Sequence, residues 1–146
     1  MKYICLLFIF LISTSSYACS CMSTEFGRNT YKQAACIVKG EAINVEIDEE
    51  KYQRIITFRV DESYKKTTEK TITIRTAISG AACGLGVNKN DEWLFFVYEY
   101  EGEKFVGLCG KHVRFNRRPN EAKARYKANC KLMKSYTKKL KKYQNE

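Results

Sequence analysis

Ser16-Tyr17-Ala18-Cys19-Ser20-Cys21 is the stretch on which the reading of this chain turns. Upstream of it Lys2 supplies a positive charge, and Tyr3 to Ile12 is almost wholly apolar. Ser13 to Ala18 then adds small and polar residues and ends in Ser-x-Ala, close to the A-x-A pattern after which signal peptidase cuts. The apolar run is roughly ten residues, against about 20 for a membrane-spanning helix. Residues 1–18 therefore read as an export signal, and 19–146 as a secreted chain opening Cys-Ser-Cys. Cys5 leaves with the signal.

The remaining length makes one domain, without internal repeat or long linker. A domain of this size buries roughly two thirds of its unfolded surface. The whole chain carries a net charge of +10, and loss of Lys2 leaves about +9 by residue counting. Six of the seven cysteines survive processing: Cys19, Cys21, Cys36, Cys83, Cys109 and Cys130. An even number in a small exported protein reads as three disulfides, and six cysteines allow 15 connectivities. A structural zinc site is a poor alternative. There is no C-x-x-C pair, His112 is the one histidine, and the cysteines are spread along the chain. Spacing leaves the connectivity open; joining each early cysteine to a later one in order gives Cys19–Cys83, Cys21–Cys109 and Cys36–Cys130.

Periodicity supplies the elements. Thr24 to Ala35 predicts a short helix burying Phe26, Tyr31, Ala34 and Ala35. Cys36 to Ile47 reads as extended, with Ile37, Gly40 and Ala42 breaking simple alternation. In Arg54 to Val60, Ile56, Phe58 and Val60 share one face. Thr71 to Thr76 alternates as well. Trp93 to Tyr100 and Phe105 to Cys109 form a hairpin about Glu101-Gly102-Glu103. Five strands with short turns predict a sheet closed into a barrel, which removes its edges. From Asn120, after Pro119, the 4-3-4-3 spacing of Tyr126, Cys130, Met133, Thr137 and Leu140 predicts an amphipathic helix.

A leading cysteine has chemistry of its own. Cys19 would offer a free α-amine and an adjacent carbonyl oxygen, and disulfides at Cys19 and Cys21 would hold both rigid at the surface. That is a bidentate metal-binding wedge made of backbone, suited to another protein's metal site. The rival reading is a bacterial lipoprotein, which also opens on cysteine and acylates it. Such signals carry an apolar residue three places before the cysteine, where this chain has Ser16.

Mature Cys-Ser-Cys, a third cysteine after a short helix and before Ile37-Val38-Lys39-Gly40, the segment Ala81-Ala82-Cys83-Gly84, and a hairpin ending Gly107-Leu108-Cys109 together resemble the inhibitory N-terminal domain of tissue inhibitors of metalloproteinases (TIMPs). The resemblance covers Cys19 to Cys130 and agrees with the in-order pairing. It implies a netrin-like fold: a mainly β, five-stranded OB-like barrel with flanking helices and three disulfides. It implies that Cys19 chelates the catalytic zinc of a target metalloproteinase through its amine and carbonyl, and that Ser20 points into the S1′ pocket. Cys21 and the segment Ala81, Ala82, Cys83 and Gly84 would complete the contact ridge. The protein would need no cofactor of its own, the zinc being the target's, and would act as a monomer. Animal TIMPs add a second, six-cysteine domain; here a lysine-rich helix follows Cys130 instead.

Other motifs carry less. Trp93, Phe95, Phe96, Tyr98 and Tyr100 read as a core strand rather than a nucleic-acid stacking platform. The run Lys131, Lys134, Lys138, Lys139, Lys141 and Lys142 reads as a solvated helix face, or, above all at Lys138, Lys139, Lys141 and Lys142, as a surface for anionic polysaccharide or membrane. Gly84 and Gly86 read as turn residues. No G-x-S-x-G or H-E-x-x-H occurs, and with all six cysteines paired none is left as a nucleophile, so no enzyme is predicted. The expectation is a secreted metalloproteinase inhibitor. The alternatives are a non-inhibitory binding module for anionic surfaces and a lipid-anchored envelope protein.

Overall fold

The computed structural model describes Cys19, Cys21 and residues 26–145. Residues 1–18, expected to be an export signal, Ser20, and Thr24 and Glu25 at the start of the expected first helix lie outside the described residues. Helix α1 (Arg28–Gln33) leads into strands β1 (Cys36–Asp48), β2 (Gln53–Lys65) and β3 (Thr71–Ala77). Strands β4 (Glu92–Tyr100), β5 (Glu103–Phe105) and β6 (Val113–Arg114) follow, and helix α2 (Lys123–Gln144) closes the chain. The sheet runs β1-β2-β3-β5-β4, and β1 pairs with β4 to complete a five-stranded barrel; β6 adds to β4 alongside. All pairings are antiparallel except β3 with β5, which meet at Arg75 and Phe105.

Closure depends on β1, whose first half pairs with both β2 and β4. Its register against β2 slips between Ile37 and Val38, between Lys39 and Gly40, and between Ala42 and Asn44. Each slip is a bulge that bends the strand and sharpens its twist. These are the places where alternation breaks in the sequence. At Gly40 an added Cβ would collide with the carbonyl of Arg59, so the strands can approach there only because the residue is glycine.

Two apolar clusters explain the composition of β4. Trp93, Phe95 and Val97 point into the barrel with Val38, Ile56, Phe58, Ile72, Ile74 and Val87. Leu94 and Phe96 point outward and join Phe26, Ile37, Tyr64, Val113, Met133 and Leu140 beneath the two helices. A strand buried on both faces reads as a continuous apolar run, as Trp93-Leu94-Phe95-Phe96-Val97 does. Tyr100, at the strand's end, is 69% exposed instead.

Three expectations shift. Glu101 and Gly102 both have positive φ, 52° and 78°, and make the two-residue turn that matches strand twist. The strand after it ends at Phe105, because residues 107–110 turn away toward a disulfide. The C-terminal helix starts at Lys123, not beside Pro119. The intervening loop is held by side chains: Arg114 pairs with Glu121, both buried, and Arg118 pairs with Asp91 while also donating to the Gly86 carbonyl at 2.6 Å.

The third disulfide is a correction: Cys36 and Cys130 are free thiols. Cys36 faces the barrel interior opposite Val97. Cys130 lies outside on α2, its Sγ 3.9 Å from the carbonyl of Phe115, whose amide donates to Glu92. Val97 and Glu92 stand five residues apart on β4, about 16 Å at strand rise. A disulfide needs Cα atoms within about 7 Å, so packing of Met133 and Leu140, rather than sulfur, holds the helix.

Candidate functional site

The other two bridges form as expected. Cys19 joins Cys83 with Cα atoms 5.6 Å apart, and Cys21 joins Cys109 at 5.1 Å. They close sequence separations of 64 and 88 residues; in the chain-entropy picture each loop of this length is worth about 4 kcal/mol at most.

The segment after β3 is built to present Cys83. Ser79 opens a single 3₁₀ turn, Gly80–Ala82, by accepting from the Ala82 amide at 3.3 Å through its hydroxyl. Cys83 then adopts the left-handed conformation, φ 60° and ψ 22°. A non-glycine residue there costs about 1–2 kcal/mol, which the disulfide and the surrounding turn hold in place. Gly84 packs so close that an added Cβ would strike the carbonyl of Ala77. The Leu85 amide donates to the buried Thr76 hydroxyl at 2.8 Å and returns the chain to the core. Gly84 is thus a close-approach residue, whereas a Cβ on Gly86 would meet open space.

The turn at 107–110 lies directly beside this segment. The Leu108 amide donates to the Cys83 carbonyl at 2.8 Å, and Gly110 closes its own turn onto Gly107 at 2.9 Å. Ala81, Ala82, Cys83, Leu108, Cys109 and Cys21 are all exposed. Cys19 Sγ lies 3.5 Å from the Ala81 carbonyl oxygen. The structure therefore gathers Cys19, Cys21, Ala81, Ala82 and Cys83 into one ridge at an end of the barrel; Gly84, expected to belong to it, is buried behind it against the Ala77 carbonyl. The ridge offers three neighbouring pieces of backbone, cross-linked twice and hydrogen-bonded once between the two turns.

His112 underpins that ridge, a role the sequence did not reveal. Its Nδ1 accepts from the Phe96 amide at 3.1 Å, so the ring proton sits on Nε2. The ring meets Phe95 edge-on at 5.6 Å, and Gly110 rests against Nε2 with no room for a Cβ. Burial drives its pKa down to about 4, opposed by the Gly107 carbonyl. The one sequence signal was the glycine two residues before it, which is too common to single out. Beside the ridge a groove of about 370 Å³ is lined by apolar Leu85, Trp93, Leu108 and Leu132 together with charged Arg118 and Arg125.

The lysines named from sequence stand elsewhere, on α2, and do not share one environment. Lys138 and Lys141 line a second groove against β2. Lys139 instead donates to the Phe26 carbonyl at 3.2 Å and covers its ring. The free thiols also remove one premise of the sequence reading, that every cysteine is paired. Cys36 is a poor nucleophile, since burial raises its pKa above the ordinary thiol value.

Compared with known proteins, the chain matches no protein-family model and no curated protein sequence. The functional reading rests on the ridge itself.

Proposed function

We propose that this protein is a secreted inhibitor of zinc metalloproteinases, acting as a TIMP-like domain whose first residue after processing is Cys19. One observation carries the reading: two disulfides pin residues 19 and 21 to exposed turns that are themselves joined by the Leu108–Cys83 hydrogen bond. Anchoring at residues 19 and 21 ties this segment to the barrel at two points. The closed barrel, with β1 paired to both β2 and β4, supports an OB-type, netrin-like assignment.

The chemistry follows from the ends of a single residue. Catalytic zinc in such proteases keeps one position open for water. Cleavage after Ala18 would free the α-amine of Cys19, and that nitrogen with the Cys19 carbonyl oxygen can take the water's place. The amine binds as the neutral form, and α-amines titrate at about 7.7–8.0, so protons compete with zinc below that range. Ser20 would enter the S1′ pocket, while the exposed Ala81, Ala82 and Cys83 extend the contact. Because two disulfides restrain the segment before it binds, association costs less conformational freedom. The zinc belongs to the target and the inhibitor brings no cofactor.

The test is one residue long. Processed protein should inhibit at least one of a panel of zinc metalloproteinases, and a form with a single alanine placed before Cys19 should lose that inhibition. Undiminished inhibition by the extended form would refute zinc chelation by Cys19.

A further inference from the structure

Helix α2 carries nine basic residues and no acidic one along its 22 residues. Lys127, Lys131, Lys134, Lys138 and Lys141 succeed one another at intervals of four, three, four and three, which places them on one line along the helix. At 1.5 Å per residue the line is about 20 Å long. Lysines at this spacing repel one another, and helices ordinarily relieve such repulsion with glutamates one turn away. Here none is present, and none of the five forms an ion pair among the described residues.

The line borders the docked face of the helix, so it also walls a cleft. Lys134, Lys138 and Lys141 face Lys39 and Glu62 across a groove of about 510 Å³, with the buried Tyr64 and Met133 beneath. Glu62 is already committed. It takes a 2.5 Å contact from Lys39 and a 2.6 Å hydrogen bond from the Tyr64 hydroxyl, and these, with a smaller contribution from the charge of Lys141, hold its carboxyl below the usual range. The helix lysines thus wall a cleft whose one lining acid is already paired with Lys39.

We propose that this stripe and groove bind a linear sulfated polysaccharide, with successive sulfates along Lys127 to Lys141 and one group seated between α2 and β2. A narrow cationic line of roughly 20 Å, whose Lys134 to Lys141 part walls a groove, fits a chain better than a flat bilayer. The apolar face of α2 is already packed on the barrel, and Leu132, exposed on the same helix, lies toward Leu108 in the other groove. The helix therefore has no free apolar side to press into lipid. The stripe carries no aromatic ring for base stacking, which disfavours single-stranded nucleic acid. Lys139, turned to Phe26, is not part of it. The site stands apart from the disulfide ridge and holds whether or not Cys19 chelates zinc.

Heparin is the probe, titrated against the disulfide-bonded protein at physiological salt. The triple variant Lys134→Glu, Lys138→Glu and Lys141→Glu should weaken binding by about tenfold or more. A charge-matched triple on other exposed lysines, Lys51→Glu, Lys70→Glu and Lys89→Glu, should change it by less than about threefold. Glutamine at the same three helix positions, with helical circular dichroism retained, should also weaken binding and separates charge loss from unfolding. Equal losses in the two glutamate triples, undiminished binding of desulfated heparin, or tighter binding to anionic vesicles or duplex DNA would each overturn the proposal.

Discussion

His112 is the residue that ties the contact ridge to the barrel, and its buried imidazole makes the fold sensitive to acid. In the folded chain its pKa is lowered to about 4, below the ordinary value of 6.5. Between those values the unfolded chain binds more protons than the folded one, so stability rises with pH there. The contribution is complete above 6.5 and is lost as pH falls toward 4, amounting to about 3 kcal/mol. Urea unfolding at pH 7 and pH 4.5 should show this loss. His112→Asn, which can still accept from the Phe96 amide but does not titrate, should show a shallower dependence. The same slope in both proteins would assign the acid sensitivity to other groups.

At the scale of elements, α2 is the piece whose attachment differs most from expectation. With Cys130 unpaired, the helix is held by Met133 and Leu140 and by rings that surround Phe26: Phe96 at 5.2 Å, Tyr136 at 4.7 Å and Tyr143 at 6.0 Å. The Lys139 and Gln144 side chains add hydrogen bonds to the carbonyls of Phe26 and Ser63, each at 3.2 Å. Leu140 is fully buried, so Leu140→Ala should destabilise by about 2–5 kcal/mol. Leu132, on the same helix and 41% exposed, should change stability by less than about 0.5 kcal/mol as alanine. Equal effects in thermal unfolding would mean that the helix docks through a different face.

For the whole molecule, sulfur chemistry reports the architecture directly. Alkylation of the unreduced, denatured protein followed by peptide mapping should label Cys36 and Cys130 and leave Cys19, Cys21, Cys83 and Cys109 unmodified. In the native protein Cys130, which is half-buried, should react faster than Cys36 inside the barrel. A Cys36–Cys130 peptide pair would restore the third bridge. The architecture places the two proposed surfaces on different parts of the molecule: the ridge where β3 and β5 give way to turns, the lysine track along α2. Occupation of one need not exclude the other.

What could be read from the chain alone was whatever depends on local pattern. Alternation in Arg54 to Val60 and Thr71 to Thr76 placed strands, the 4-3-4-3 spacing placed the last helix, and Cys-Ser-Cys with Ala-Cys-Gly marked the ridge, because each is a short-range consequence of pleat, turn or cross-link. Which face of β1 turns inward, where its bulges fall, and whether Cys36 meets Cys130 depend on residues far apart in sequence arriving at one place. Only closure of the barrel decides those. It sends Cys36 inside and leaves Cys130 outside, separates Lys139 from the other lysines, and sets His112 beneath the two turns, since each outcome is fixed by the space left once β1 has paired with both β2 and β4.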